Sequence, residues 1–216
     1  MTTTLTDRNS LVNNIIAQLR DTKVQKDRMR FRRNLERFGE IVAYEISQTF
    51  NYEGRVVETP LGEAHIDLST NDLVITGVLR AGLPLHQGLL NMFDGAGSAF
   101  VSTYRKHHAS GSFEVNLEYL TTPALDGKTL IIADPMLATG STAVHTIQAL
   151  LEYGKPEMIH VVTVIGCNQG IAFLTREYPD VHLWVGSIDD ELTAKSYIVP
   201  GLGDAGDLCY GEKQLD

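Results

Sequence analysis

The chain predicts an α/β fold: a parallel sheet with helices packed on both faces. Three observations carry that reading. Short, nearly continuous apolar runs recur, helical segments separate them, and the loops that leave the runs hold glycine and hydroxyl residues. Strands read at 73–79 (LVITGVL), 98–103 (SAFVST), 129–133 (TLIIA), 159–165 (IHVVTVI) and 181–186 (VHLWVG), with helices at 83–92, 141–153 and 170–178. The middle helix closes on Gly154 with Pro156 just beyond, a stop signal. Ahead of the sheet, Leu11, Ile15 and Leu19, then Phe31, Leu35, Phe38, Val42 and Ile46, repeat at helical spacing, so two helices precede it. Residues 55–68 alternate loosely around Pro60 and Gly62, which predicts a hairpin. Residues 104–120 break the strand–helix rhythm, and their second half alternates as an exposed strand would, which predicts a protruding β-arm. The tail from Ile188 carries glycines at 201, 203, 206 and 211 and no helical period, and reads as a separate lobe.

Length and composition bound the organisation. With 216 residues, 43% of them hydrophobic, the chain suits one core. The expected division is a single domain over 1–216, with N-terminal helices over 1–54, the α/β core over 55–187 and the tail lobe over 188–216. A net charge of -9 argues against binding a nucleic-acid backbone over a broad face. The basic run from Lys23 to Arg37 reads as a solvated helix face. The opening MTTTLTDRNS lacks the pattern of a signal peptide, and no apolar run approaches the length of a membrane span. Cys167 and Cys209 are too few for a disulfide framework, so a reduced, cytoplasmic setting is expected.

Ligands of open parallel sheets collect at the carboxyl ends of the strands. Three loops belong there: Arg80-Ala81-Gly82, Tyr104-Arg105-Lys106 and the stretch from Asp134 to Thr142. In the last, Gly140 allows successive amides to converge on an anion, Thr139, Ser141 and Thr142 add hydroxyls, and the following helix adds its positive end. A phosphate monoester suits that turn. GxxxxGK[ST] is absent, which disfavours a nucleoside triphosphatase. Asp134, several residues before the turn, suits ribose hydroxyls or a magnesium ion bound through them. Arg80 and Arg105 follow apolar strands at the same edge and could clamp a second, doubly charged phosphate group. Gly201-Leu202-Gly203-Asp204-Ala205-Gly206 fits G-x-G-x-x-G, but too few residues follow for a dinucleotide-binding unit. Glycines so dense expose main-chain groups that can read the polar edge of a flat heterocycle, with Tyr197 or Ile198 to pack its face.

Three segments, LRAGL (79–83), DPMLATGST (134–142) and YIVPGLGDAGD (197–207), resemble the uracil phosphoribosyltransferases, within the type I phosphoribosyltransferase superfamily. The likeness extends over roughly residues 10–213. It implies a type I phosphoribosyltransferase-like sheet with a β-arm and a C-terminal hood. It implies conversion of uracil and 5-phosphoribosyl-1-diphosphate (PRPP) to UMP and diphosphate with Mg²⁺, in pyrimidine salvage. By position, Asp134, Pro135, Met136, Leu137, Ala138, Thr139, Gly140, Ser141 and Thr142 would hold the ribose and its 5-phosphate, and Arg80 and Arg105 the diphosphate. Ile198, Gly203, Asp204 and Ala205 would bind uracil largely through main-chain atoms. Asp204 would also face PRPP and, through water, its metal, while Mg²⁺ would be held mainly by PRPP itself. Arg80, Asp134 and Asp204 are therefore the expected catalytic group. The arm would take part in dimer contacts.

Departures from the family pattern are Ser141 in place of a second glycine, Gly166-Cys167-Asn168-Gln169-Gly170 after a core strand, and Lys106-His107-His108 beside Arg105. Two other readings stay open: transfer to another nucleobase, and a non-catalytic nucleotide sensor or RNA-binding pyrimidine regulator.

Overall fold

The structure, a computed structural model, describes residues 1–107 and 113–214, with side chains outside 103–117. In chain order the elements are β1 (Thr2–Thr4), α1 (Leu11–Arg20), α2 (Arg28–Ser47), β2 (Tyr52–Thr59), β3 (Gly62–Ser69), β4 (Leu73–Leu79), α3 (Gly82–Met92), β5 (Gly97–His107) and β6 (Phe113–Thr121). They continue with β7 (Thr129–Ala133), β8 (Met136–Leu137), α4 (Ser141–Leu150), β9 (Met158–Cys167), α5 (Asn168–Glu177), β10 (His182–Asp189), β11 (Glu191–Leu192), β12 (Ile198–Val199) and α6 (Ala205–Tyr210).

The main sheet runs β1-β10-β9-β7-β4-β5-β6, parallel except for the β5–β6 pair, with β8 added beside β9. From β4 the chain moves outward through α3 to β5. After β6 it returns to the other side of β4, laying down β7, β9 and β10 in the opposite direction. Right-handed crossovers in opposite directions place their helices on opposite faces. Alternate strand residues show this directly. Leu73, Ile75, Ile131 and Ala133 join the core under α1, α2 and α3, while Val74, Val78, Leu130 and Ile132 join the core under α4 and α5. Burial on both faces explains why the central strands read as unbroken apolar runs.

Caps fix the N-terminal helices. Ser10 and Asn13 form a capping box on α1, and the Asp27 side chain accepts from the Arg30 amide at the start of α2. The basic run is largely exposed, as a solvated face requires, but Arg33 pairs with Glu36 at 2.7 Å and Arg32 donates to the Cys209 carbonyl at 2.6 Å.

Several boundaries differ from the sequence expectation. The strands at 159–165 and 181–186 extend to Cys167 and Asp189, because pairing between them continues to Asp189↔Cys167. β1 adds a strand to the edge of the sheet, beside β10, although Thr2–Thr4 has no apolar pattern. The tail contains a helix, α6, capped by Asp204, and its Ile198, Leu202, Ala205 and Cys209 are continuous with the core under α1 and α2. The hairpin expected at 55–68 is the β2–β3 pair, which forms a separate two-stranded sheet. β5 and β6 pair from Phe100↔Thr121 to His107↔Phe113. His108 lies outside the described residues, as do the side chains of Arg105, Lys106 and His107.

Near the β1 edge, the Trp184 indole donates to Nδ1 of fully buried His160 at 3.0 Å. An indole N–H can only donate, so the His160 ring is neutral with its proton on Nε2. Burial, with repulsion from His182, pushes the His160 pKa down to about 4 from 6.5. The unfolded chain therefore binds more protons than the folded one between these values. Stability is full above pH 6.5 and is lost as pH falls toward 4, by up to about 3 kcal/mol. Burial also lowers His86 and His182, so they act in the same direction. Urea unfolding followed across this range should show a midpoint that falls with acid. His160→Gln, which keeps an acceptor for the indole, should remove most of the slope; an unchanged slope would place the acid sensitivity elsewhere.

Candidate active site

The change of winding direction lies between β4 and β7, and neighbouring loops diverge there to leave a crevice. Arg80 leaves β4 and Asp134 leaves β7, and these strands pair up to Gly77↔Ala133. The two loops are brought close by Gly82, where a Cβ would lie 2.5 Å from the Ala133 carbonyl oxygen.

The loop after β7 is fastened to the sheet before it turns. The Asp134 amide donates to the Val162 carbonyl at 3.1 Å, Pro135 O accepts from the Val164 and Ile165 amides, and β8 pairs with β9. The Asp134 carboxylate accepts from the Met136 amide at 3.3 Å. Gly140, at φ 83°, then makes the left-handed turn into α4. Gly140, the N-cap of α4, has no side chain with which to cap the helix. Thr139 Oγ1 accepts from the Ser141 amide at 3.4 Å and donates to Ser141 Oγ at 3.3 Å. A small concavity is lined by Asp134, Met136, Leu137, Ala138, Thr139, Gly140, Thr142 and Ala143. It joins a carboxylate, hydroxyls and a helix N-terminus, the chemistry for a sugar phosphate.

The 166–170 departure sits directly behind this turn. Gly170, in the first turn of α5, lies so close that an added Cβ would collide with the Ala138 carbonyl, and a Cβ on Gly140 would lie 2.7 Å from Gly170 O. Thus Gly170 is fixed by packing against the turn. Asn168, by contrast, donates to Asp190 Oδ1 at 2.7 Å on the surface, tying α5 to the end of β10.

Arg80 links the core to the tail: it pairs with Asp207 Oδ1 at 2.6 Å and donates to Gly211 O at 3.1 Å. Asp204 stands one helical turn before Asp207. Burial alone would push its carboxyl up, but the Asp207 and Gly206 amides together with Lys213 outweigh it and hold it below the usual carboxylate range. Gly203 and Asp204 face a cleft of about 350 Å³, which Gln25, Lys26, Arg28, Leu202, Asp207, Leu208 and Glu212 also line. Ile198 and Ala205 are buried, at 5% and 4% exposure. Tyr197 is exposed.

Sequence reasoning missed Asp207, Gly211 and Lys213, which surround Arg80 and Asp204. It also missed Arg20, Gln25 and Asp189, which hold the tail from below. Asp207 closes the YIVPGLGDAGD stretch and Gly211 is one of the tail glycines, but neither carries a role in the sequence reading, and no local motif marks Lys213, Arg20, Gln25 or Asp189.

A family model for uracil phosphoribosyltransferase matches residues 6–212. A uracil phosphoribosyltransferase from Porphyromonas gingivalis is 47% identical over 205 residues, covering 94% of this chain and 95% of that protein. Among solved structures, the AQ2163 protein from Aquifex aeolicus has a TM-score of 0.88 at 28% identity, covering 98% of both chains. A hypoxanthine phosphoribosyltransferase from Staphylococcus aureus has a TM-score of 0.50 at 16% identity over 85% of this chain and 83% of that one, a likeness of fold alone. The length and strength of these matches, falling on the loop after β7 and on the tail together, show that the chain belongs to the uracil phosphoribosyltransferase family of pentosyltransferase enzymes.

Proposed function

We propose that the chain transfers the phosphoribosyl group of PRPP to N1 of uracil, giving UMP and diphosphate in pyrimidine salvage. The observation that supports this most is the bridge from Arg80 to Asp207 and Gly211, which joins the sugar-phosphate edge to the glycine-rich hood. The bond from ribose C1 to the diphosphate oxygen breaks as the bond to N1 forms, and N1 loses its proton. Positive charge builds on the ribose ring and negative charge on the leaving group, so the task of the protein is positioning and electrostatic stabilisation.

In this reading the amides and hydroxyls of Thr139–Thr142 hold the 5-phosphate, with Pro135–Ala138 shaping the loop, and Asp134 accepts from ribose hydroxyls. Arg80, seated beside Asp207, and Arg105 hold the diphosphate. Main-chain groups of Ile198, Gly203, Asp204 and Ala205 read the edge of uracil. Among the described residues no three His, Cys, Asp or Glu side chains converge as a metal cage. The oxygen donors of Asp134 and Asp204 nevertheless suit Mg²⁺, which binds through few carboxylates and keeps waters and phosphate oxygens as ligands. Bound in that way, Mg²⁺ would neutralise charge on the diphosphate.

A homodimer in the cytoplasm belongs to the same proposal. No helix among the described residues is long and apolar enough to cross a membrane. Val57, Ile66 and Leu68 are exposed on one face of the two-stranded β2–β3 sheet, which alone is marginally stable in water and which a second copy would cover. Sedimentation should give twice the 23.8 kDa chain mass; a single-chain mass at micromolar concentration would remove the dimer.

The decisive assay offers uracil, cytosine, orotate, xanthine and hypoxanthine with PRPP and Mg²⁺ and scores nucleotide product. Uracil alone should react, and exclusive use of another base would overturn the assignment. Arg80→Ala and Asp134→Ala should each lower turnover by about a hundredfold while the thermal unfolding profile stays cooperative. Near-normal kinetics in either variant would remove that residue from the scheme.

A further inference from the structure

The hood segment between Ile198 and Ala205 has little regular structure of its own. β12 supplies two paired residues, and the chain then passes through the cis Val199–Pro200 bond, Gly201 at φ 55° and Gly203 at φ 95° before α6 begins. Such a segment takes its shape from what grips it, since glycines leave the backbone many alternatives.

The grip comes from two charged side chains far away in the chain. Arg20, the last residue of α1, meets Asp189, the last residue of β10, through both guanidinium nitrogens at 2.7 Å, a bidentate fork. Arg20 also donates to Gly201 O at 2.9 Å and to Ser187 Oγ at 3.1 Å. The second oxygen of Asp189 accepts from the Gly201 amide at 2.9 Å. One ion pair thus takes both polar groups of the Gly201 main chain. Asp189 is 7% exposed, while the Arg20 side chain remains partly exposed, at 21%. Gln25, just beyond α1, continues the pattern by donating to Leu202 O at 3.1 Å and Leu19 O at 2.8 Å.

We infer that Arg20 and Asp189 are positioning residues for base recognition: by clamping Gly201 they set the path of the chain that presents main-chain groups to the base. The inference rests on the proposed role of the hood. Its consequence is a division in the kinetics. The clamp touches neither Asp134 nor the Thr139–Thr142 turn, so losing it should weaken uracil and leave PRPP alone.

Arg20→Ala would strand a buried carboxylate and endanger folding. The paired variant Arg20→Met with Asp189→Leu removes both charges together and leaves apolar groups of similar bulk, an exchange that folded proteins tolerate. In it KM for uracil should rise about tenfold or more, as expected when charge-assisted bonds to the hood are lost, while KM for PRPP stays within about twofold. The discrimination between uracil and cytosine should fall with it. Arg20→Lys keeps the charge without the fork and should give an intermediate KM for uracil, which a merely structural role would not produce.

Gly203→Ala, at a hood position with positive φ and nothing within 4 Å of the added Cβ, reports on the hood itself. If Gly203→Ala raises KM for uracil and the folded paired variant does not, the clamp is overturned while the hood reading stands. If neither moves it, both fail. Equal increases for uracil and PRPP in the paired variant would also overturn the clamp, as loss of general order.

Discussion

The arrangement depends on one constraint: a mostly parallel sheet must be covered on both faces. The strands around β4 and β7 have no solvent side, and each crossover must carry a helix that closes one face. Because β4–α3–β5 winds one way and β7–α4–β9–α5–β10 the other, α3 and α4 leave the same edge toward opposite sides. The diverging loops hold Arg80 and Asp134 beside an open edge. The candidate site follows from covering the sheet and needs no further device to place it.

That constraint explains what was legible in the sequence. Buried strands write themselves as apolar runs, so 73–79 and 129–133 coincide with β4 and β7. The Asp134–Thr142 turn is also local: its carboxylate, its left-handed glycine and the start of α4 lie within nine consecutive residues, and backbone geometry alone brings them together. The hood obeys a different rule. Its form is set by partners remote in sequence, with Arg20 and Asp189 169 residues apart and Gln25 and Leu202 177 apart. No periodicity connects such pairs. The same reason hid β1, whose three threonines earn a place in the sheet only through backbone pairing to Leu183, Trp184 and Val185. It also hid α6, whose six residues carry too little pattern to show a period but are held by the Asp204 cap and by Arg32 on Cys209 O.

Charge is distributed to match. The chain is acidic overall, yet the arginines around the tail meet specific acceptors: Arg20 on Asp189, Arg32 on the end of α6 and Arg80 on Asp207. The exposed pairs add little to stability, since water screens them. What they supply is direction, because a planar guanidinium fixes the orientation of what it binds. Arg80 has a second significance. In the proposed function it holds the diphosphate, and it is tied to Asp207 and Gly211, beyond the Gly201 stretch that Arg20 and Asp189 grip.

The two halves of the site should therefore differ in how they tolerate change. The phosphate turn is held by backbone pairing to β9 and by contact with Gly170 so close that a single methyl group would disturb it, and alternatives are sterically excluded. The hood is held by a few side chains from α1, the α1–α2 connection and β10. A fold built in this way can keep one chemistry, transfer from a ribose phosphate, while the recognised base changes through substitutions that never touch the ligand.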